Sequence, residues 1–134
     1  MLRALNVSAV QRGALLCLVI ATPAAVISRL LTDDGDEATT SNWVFVALLA
    51  IVVAYLVGGA AAGRRATVAP FFNGAVATLS AFLVVQVIAG VIRVVQGDSI
   101  SPIGVIFNAL LAATIGVVGA GVGMWRATRD TAAS

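Results

Sequence analysis

The side chains able to do chemistry are few, and their placement argues against catalysis. The chain has 134 residues and no histidine, and its one cysteine is Cys17. The six carboxylates are Asp33, Asp34, Asp36 and Glu37 in one cluster, then Asp98 and Asp130. General acid–base catalysis needs titratable groups held within hydrogen-bond reach of one substrate. Zinc-type centres need clustered Cys, His or carboxylate ligands. Neither pattern is present, so no enzymatic activity, metal or cofactor is expected. A single Cys excludes an intrachain disulfide. The cluster Asp33-Asp34-Gly35-Asp36-Glu37 lacks the alternate-ligand spacing of a calcium loop and reads as a solvated turn. A net charge of +2 gives no basic face for nucleic acid.

What remains is neutral and apolar-flanked: Gln86, Asn108 and Thr22. Gln86 and Asn108 each lie 11 residues from position 97. If 97 is the middle of a hairpin, the two sit at one depth. They are expected to meet and share a hydrogen bond of about 0.6–2 kcal/mol, or to line a polar path. Thr22 precedes Pro23, which removes a backbone donor and is expected to kink its helix. Thr78, Ser80 and Thr114 are expected to bond their own backbone.

The elements that must hold these groups are unusual for a soluble domain. The chain is 60% hydrophobic and 10% charged, with mean hydropathy +1.06, whereas soluble domains carry about a quarter charged residues. Charge is absent over 13–28, 38–63, 66–92 and 99–125. Roughly 20 apolar residues cross a bilayer as a helix. The fold expected is therefore all-α, a four-transmembrane-helix bundle in one integral membrane domain over 1–134. Its spans are about 12–31, 43–63, 70–94 and 102–125. Arg3 and Arg12 before an apolar run are reminiscent of a signal peptide. Thr22-Pro23-Ala24 lacks a cleavage spacing, however, and the first run reads as a retained span.

Charge sets the expected orientation. Arg3, Arg12, Arg64, Arg65, Arg126 and Arg129 alternate along the chain with the acidic segments. Arginine-rich short loops stay cytoplasmic, so both termini are expected inside and two hairpins outside. Arg12, Arg64, Arg65, Arg126 and Arg129 would then face anionic lipid. Arg29 and Arg93 fall at outer span ends, where snorkelling is the default. Trp43 and Trp125 sit at interfacial depths. Ser101 before Pro102 reads as a helix cap, and Ser41 or Asn42 as another. Within the spans no carboxylate occurs, which argues against proton- or cation-coupled transport.

Small residues form the strongest pattern. Every fourth position gives Ala50, Ala54, Gly58 and Ala62 in span 2, and Gly104, Asn108, Ala112, Gly116 and Ala120 in span 4. Gly59-xxx-Gly63 and Gly119-xxx-Gly123 add a second row to each. In lipid, helices associate through such close-approach faces. These rows serve either the bundle's own packing or a docking face for another subunit. Spans 2 and 4 also superimpose at a shift of 62 residues, with Ala47–Ala50 on Ala109–Ala112, Gly59 on Gly121 and Arg64 on Arg126. The chain therefore reads as two tandem parallel helical hairpins.

The run from Tyr55 through Gly58-Gly59 and Ala62-Gly63-Arg64-Arg65 to Ala66, followed by Phe72-Asn73-Gly74-Ala75-Val76, resembles small uncharacterised four-span bacterial inner-membrane proteins. The resemblance covers about 25 residues and implies a multi-pass protein of the bacterial cytoplasmic membrane with no catalytic residues to carry over. The function expected is a non-catalytic accessory or scaffold subunit, partnered by membrane lipids and by other membrane subunits or itself. The alternative is a small oligomeric transporter or channel.

Overall fold

The computed structural model describes residues 5–32, 37–97 and 101–132. Arg3, Asp33, Asp34, Asp36 and Asp98 lie outside the described residues, as do the side chains of Arg29, Glu37, Ser41 and Trp43. Four helices follow one another: α1 Val7–Thr32, α2 Glu37–Arg65, α3 Pro70–Gln96 and α4 Pro102–Ala132. All four are long and apolar enough to cross a membrane. The chain is a small multi-pass membrane protein with an all-α four-helix bundle.

Local chemistry sets the ends. Proline opens α3 and α4, where its missing N–H costs nothing. The Ser101 hydroxyl accepts from the Gly104 N–H at 3.3 Å, capping α4. Asn6 caps α1 in the same way, its Oδ1 accepting from the Ala9 N–H at 3.1 Å. At the far end of α3, Gly97 takes φ 78°, and its N–H donates to the Arg93 and Val94 carbonyls. That left-handed conformation suits glycine. Ser41 and Asn42 do not cap span 2: α2 already begins at Glu37, four residues earlier than Ser41. Nor does α4 stop at Trp125, since it runs on through the arginine-bearing tail to Ala132. α1 is continuous through Pro23.

The packing inverts the order of a soluble protein. Small residues fill the centre: Ala9, Cys17, Ala21, Ala54, Ala62, Ala77, Ala81, Ala112 and Ala120 are buried. Large ones face out, among them Leu15, Val19, Phe45, Leu49, Val87, Val91, Phe107 and Leu110. Lipid tails are as apolar as leucine, so burying large side chains gains little, whereas small ones let backbones approach. α2 and α3 each pack against the three other helices, with α1 and α4 on opposite flanks of that pair.

Burial is also uneven along the bundle. In α3 the buried residues are Asn73, Gly74, Ala77, Thr78, Ala81 and Phe82, all in its first half. In α4 they are Ala112, Gly116, Gly119, Ala120 and Gly123, all past its first two turns. Positions 91–96 of α3 are uniformly exposed. The helices thus close tightly at the end holding Arg64 and Arg126, and α3 and α4 part toward their connecting turn.

Candidate functional site

Each small-residue row meets a different neighbour. A Cβ on Gly58 would strike the Gly13 carbonyl and Cys17, so that row of α2 faces α1. One residue on, a Cβ on Gly59 would strike the backbone of Gly116, and one on Gly63 would strike Ala120. The pairs 59–116 and 63–120 advance together by four, so α2 and α4 run parallel and touch backbone to backbone. On α4, Gly119 lies against the Leu56 carbonyl and Gly123 against Ala60. Gly74 of α3 closes the arrangement from the third side, against Ala120 and the Gly116 carbonyl. Helices α2, α3 and α4 therefore converge at glycines where even a methyl group would strike a neighbouring helix.

The row from Gly104 to Ala120 does not act as one face. Ala112, Gly116 and Ala120 are buried, but Gly104 meets nothing beyond Ser101, and Asn108 is exposed. Every step of four residues turns about 40° around a helix axis, so the row winds out of the bundle before it reaches its N-terminal end. On α2 the same drift leaves Ala50 only half-buried while Ala54 and Ala62 are fully buried.

That rotation also separates the two amides expected to pair. The Asn108 side chain donates to the Gly104 carbonyl of its own helix at 2.9 Å. Gln86 is half-buried in a groove on the α3 side, beside Gly90, Arg93 and Val105. The expected Gln86–Asn108 hydrogen bond is not made, although the two sit on adjoining helices. Thr22 is exposed on α1 and lines neither the cavity beside Cys17 and Tyr55 nor the groove that holds Gln86. Thr78, Ser80 and Thr114 bond the carbonyls of their own helices, at Gly74, Val76 and Leu110.

The principal polar group of the interior is one that spacing did not single out. Asn73 is fully buried in the first turn of α3. Its Oδ1 accepts from the Asn6 N–H at 2.7 Å, and its Nδ2 donates to the Val68 and Ala69 carbonyls at 3.1 and 3.0 Å. The start of α1, the α2–α3 turn and α3 are thereby fastened by one side chain. Ala69 holds φ 48° in that turn, a left-handed conformation rare for alanine, and the Asn73 bond to its carbonyl helps hold it. The available signal was a lone amide just after Pro70 and before Gly74 in an otherwise apolar run.

The same end carries the charges. Arg12, Arg64, Arg65, Arg126 and Arg129 are all exposed. Arg64 pairs with Asp130 at 2.8 Å, tying the end of α2 to the last turns of α4. The Arg129 guanidinium lies 3.7 Å from the Trp125 ring centroid, a cation–π contact one turn apart. Deeper in, Cys17 and Tyr55 line a cavity of about 40 Å³ with Ala21, Ile51 and Ala81. Among the described residues, no three His, Cys, Asp or Glu come together. What the arrangement offers is association chemistry: close helix contact, a lipid-facing amide on Asn108, and cations at both ends. No family model, curated protein or solved structure matches this chain.

Proposed function

We propose that the chain is a non-catalytic accessory or scaffold subunit of the bacterial cytoplasmic membrane, one that packs against a partner's transmembrane helix. Both termini and the arginine-rich end face the cytoplasm in this reading, as short arginine-bearing segments do. Anionic head groups there contact Arg12, Arg65 and Arg126.

The observation that carries the reading is the exposed amide of Asn108. Its bond to the Gly104 carbonyl uses one of two N–H groups and leaves Oδ1 and the other N–H facing outward. Water does not satisfy them within the hydrocarbon. An amide across a helix interface does, for about 1 kcal/mol. At Gly104, one turn earlier, an added Cβ would meet only Ser101 of the cap, so a partner backbone can come close there. The tighter glycine rows are used within the bundle, which leaves this stretch of α4 as the open small-residue face.

Extraction from the native membrane in a mild detergent, followed by native mass spectrometry, tests the proposal. A reproducible heteromeric mass is expected, and Asn108→Leu should lower its abundance about fivefold, the effect of losing one such hydrogen bond. A monomer overturns the reading. A homo-oligomer without a partner overturns it in favour of a small oligomeric transporter or channel.

A further inference from the structure

The groove between α3 and α4 has a volume of about 250 Å³. Leu83, Gln86, Val87, Gly90 and Arg93 line it from α3, and Val105 from α4. Spacings of three, four and seven place the α3 residues on one helical face. Gly90 lies in the middle of that row, and its missing side chain deepens the trough. The walls are aliphatic, and only Gln86 and Arg93 bring polar atoms. Arg93 stands in the last turn of α3, exposed, at the end of the bundle opposite the arginine-rich one. Among the described residues it forms no ion pair.

A cation at the mouth of an apolar trough is complementary to an amphiphile with an anionic head and a hydrocarbon chain. A partner helix would cover the walls but supply no counter-charge to the guanidinium unless it brought its own. We infer that this groove binds one anionic phospholipid of the leaflet opposite the arginine-rich end. Its phosphate sits on Arg93, and an acyl chain runs along Leu83, Val87, Gly90 and Val105. Asn108 is not among the residues that line the groove, and the inference does not rest on the subunit proposal.

The full chain, purified in mild detergent, is incubated with equal amounts of phosphatidylglycerol and phosphatidylcholine and weighed intact by native mass spectrometry. The wild type is expected to retain one phosphatidylglycerol in preference to phosphatidylcholine. Arg93→Gln should lower that retention about fivefold, the effect of removing one interfacial cation. Gly90→Leu fills the trough and should lower it as well. Shielding of Cys17 from a thiol reagent shows that each variant is folded, and Arg93→Gln, at an exposed position, decides alone if Gly90→Leu is not. Equal retention of both lipids overturns the inference. So does an Arg93→Gln variant that keeps the wild-type lipid, because the phosphate would then be held elsewhere.

Discussion

The backbone N–H of Asn6 donates to Oδ1 of Asn73 across 67 positions of sequence, at 2.7 Å. Asn6 also caps α1 through its own side chain, and Asn73 also holds the carbonyls of Val68 and Ala69. One pair of residues therefore seats the first helix on the turn that joins the second to the third. Asn73→Ala leaves the Asn6 donor and two carbonyls without this partner, and a buried polar group so abandoned costs about 1–3 kcal/mol. Asn6→Ala removes the cap but keeps the backbone donor, so its loss is smaller, about 1 kcal/mol. Cys17 is fully buried and serves as the reporter. Thermal unfolding followed with a thiol-reactive fluorophore should rank Asn73→Ala below Asn6→Ala and both below the wild type. Equal midpoints would remove the fastening role from Asn73.

The glycine contacts between α2, α3 and α4 make a sharper contrast. A side chain on Gly116 would meet the Thr78 hydroxyl and the Gly74 carbonyl, and one on Gly59 the Gly116 backbone. Backbone cannot swing aside as a side-chain tip can. Gly116→Val or Gly59→Val should therefore cost at least the 1–3 kcal/mol typical of overpacking. Gly104→Ala meets only Ser101, at 3.6 Å or beyond, and should be neutral or stabilise by about 0.5 kcal/mol through reduced unfolded-state freedom. The same thiol assay separates the two classes. A stable Gly116→Val variant would mean that α2, α3 and α4 do not meet at this point.

These contacts show what the sequence made legible and what it did not. Ser101 and Pro102 marked the start of α4, since a cap followed by proline at a first helical position is visible without any fold. Span number followed from run length and charge alone. The small-residue rows were equally visible, but their partners were not. Gly58 and Gly59 are adjacent in sequence yet face α1 and α4 respectively. Residue count gives the depth of a group in a bundle, as for Gln86 and Asn108, but not its rotation about the helix axis. The drift of about 40° per four residues carried Asn108 away from α3. Asn73 was unreadable for another reason: its side chain bonds Asn6 as well as the nearby Val68 and Ala69, and only the fold brings Asn6 to that turn.

The ion pair at the arginine-rich end should matter little to stability. Arg64 and Asp130 are 2.8 Å apart, but their side chains remain 53% and 66% exposed. Water and salt screen such pairs, which typically contribute about 0.2–1 kcal/mol. Asp130→Asn should leave the unfolding midpoint nearly unchanged. It should instead loosen the last turns of α4, so that limited proteolysis after Arg126 and Arg129 speeds up while the bundle stays intact. A large drop in thermal stability would show that the tail is part of the core.

Asn108→Leu distinguishes association from folding. Its side chain bonds only the Gly104 carbonyl one turn back, and such back-bonding adds little to a helix. Replacing it with leucine removes a polar group from a lipid-facing surface and adds a strong helix former. The isolated protein should be as stable as the wild type, or slightly more so. Its complex should weaken about fivefold, because the hydrogen bond across the interface, about 1 kcal/mol, is replaced by an apolar side chain of the same length. Asn108→Gln keeps the amide and should retain part of the association. A loss of partner mass with an unchanged Cys17 unfolding curve would assign Asn108 to the interface. Destabilisation of the isolated chain would assign it to the fold instead, and an unaltered complex would remove it from both.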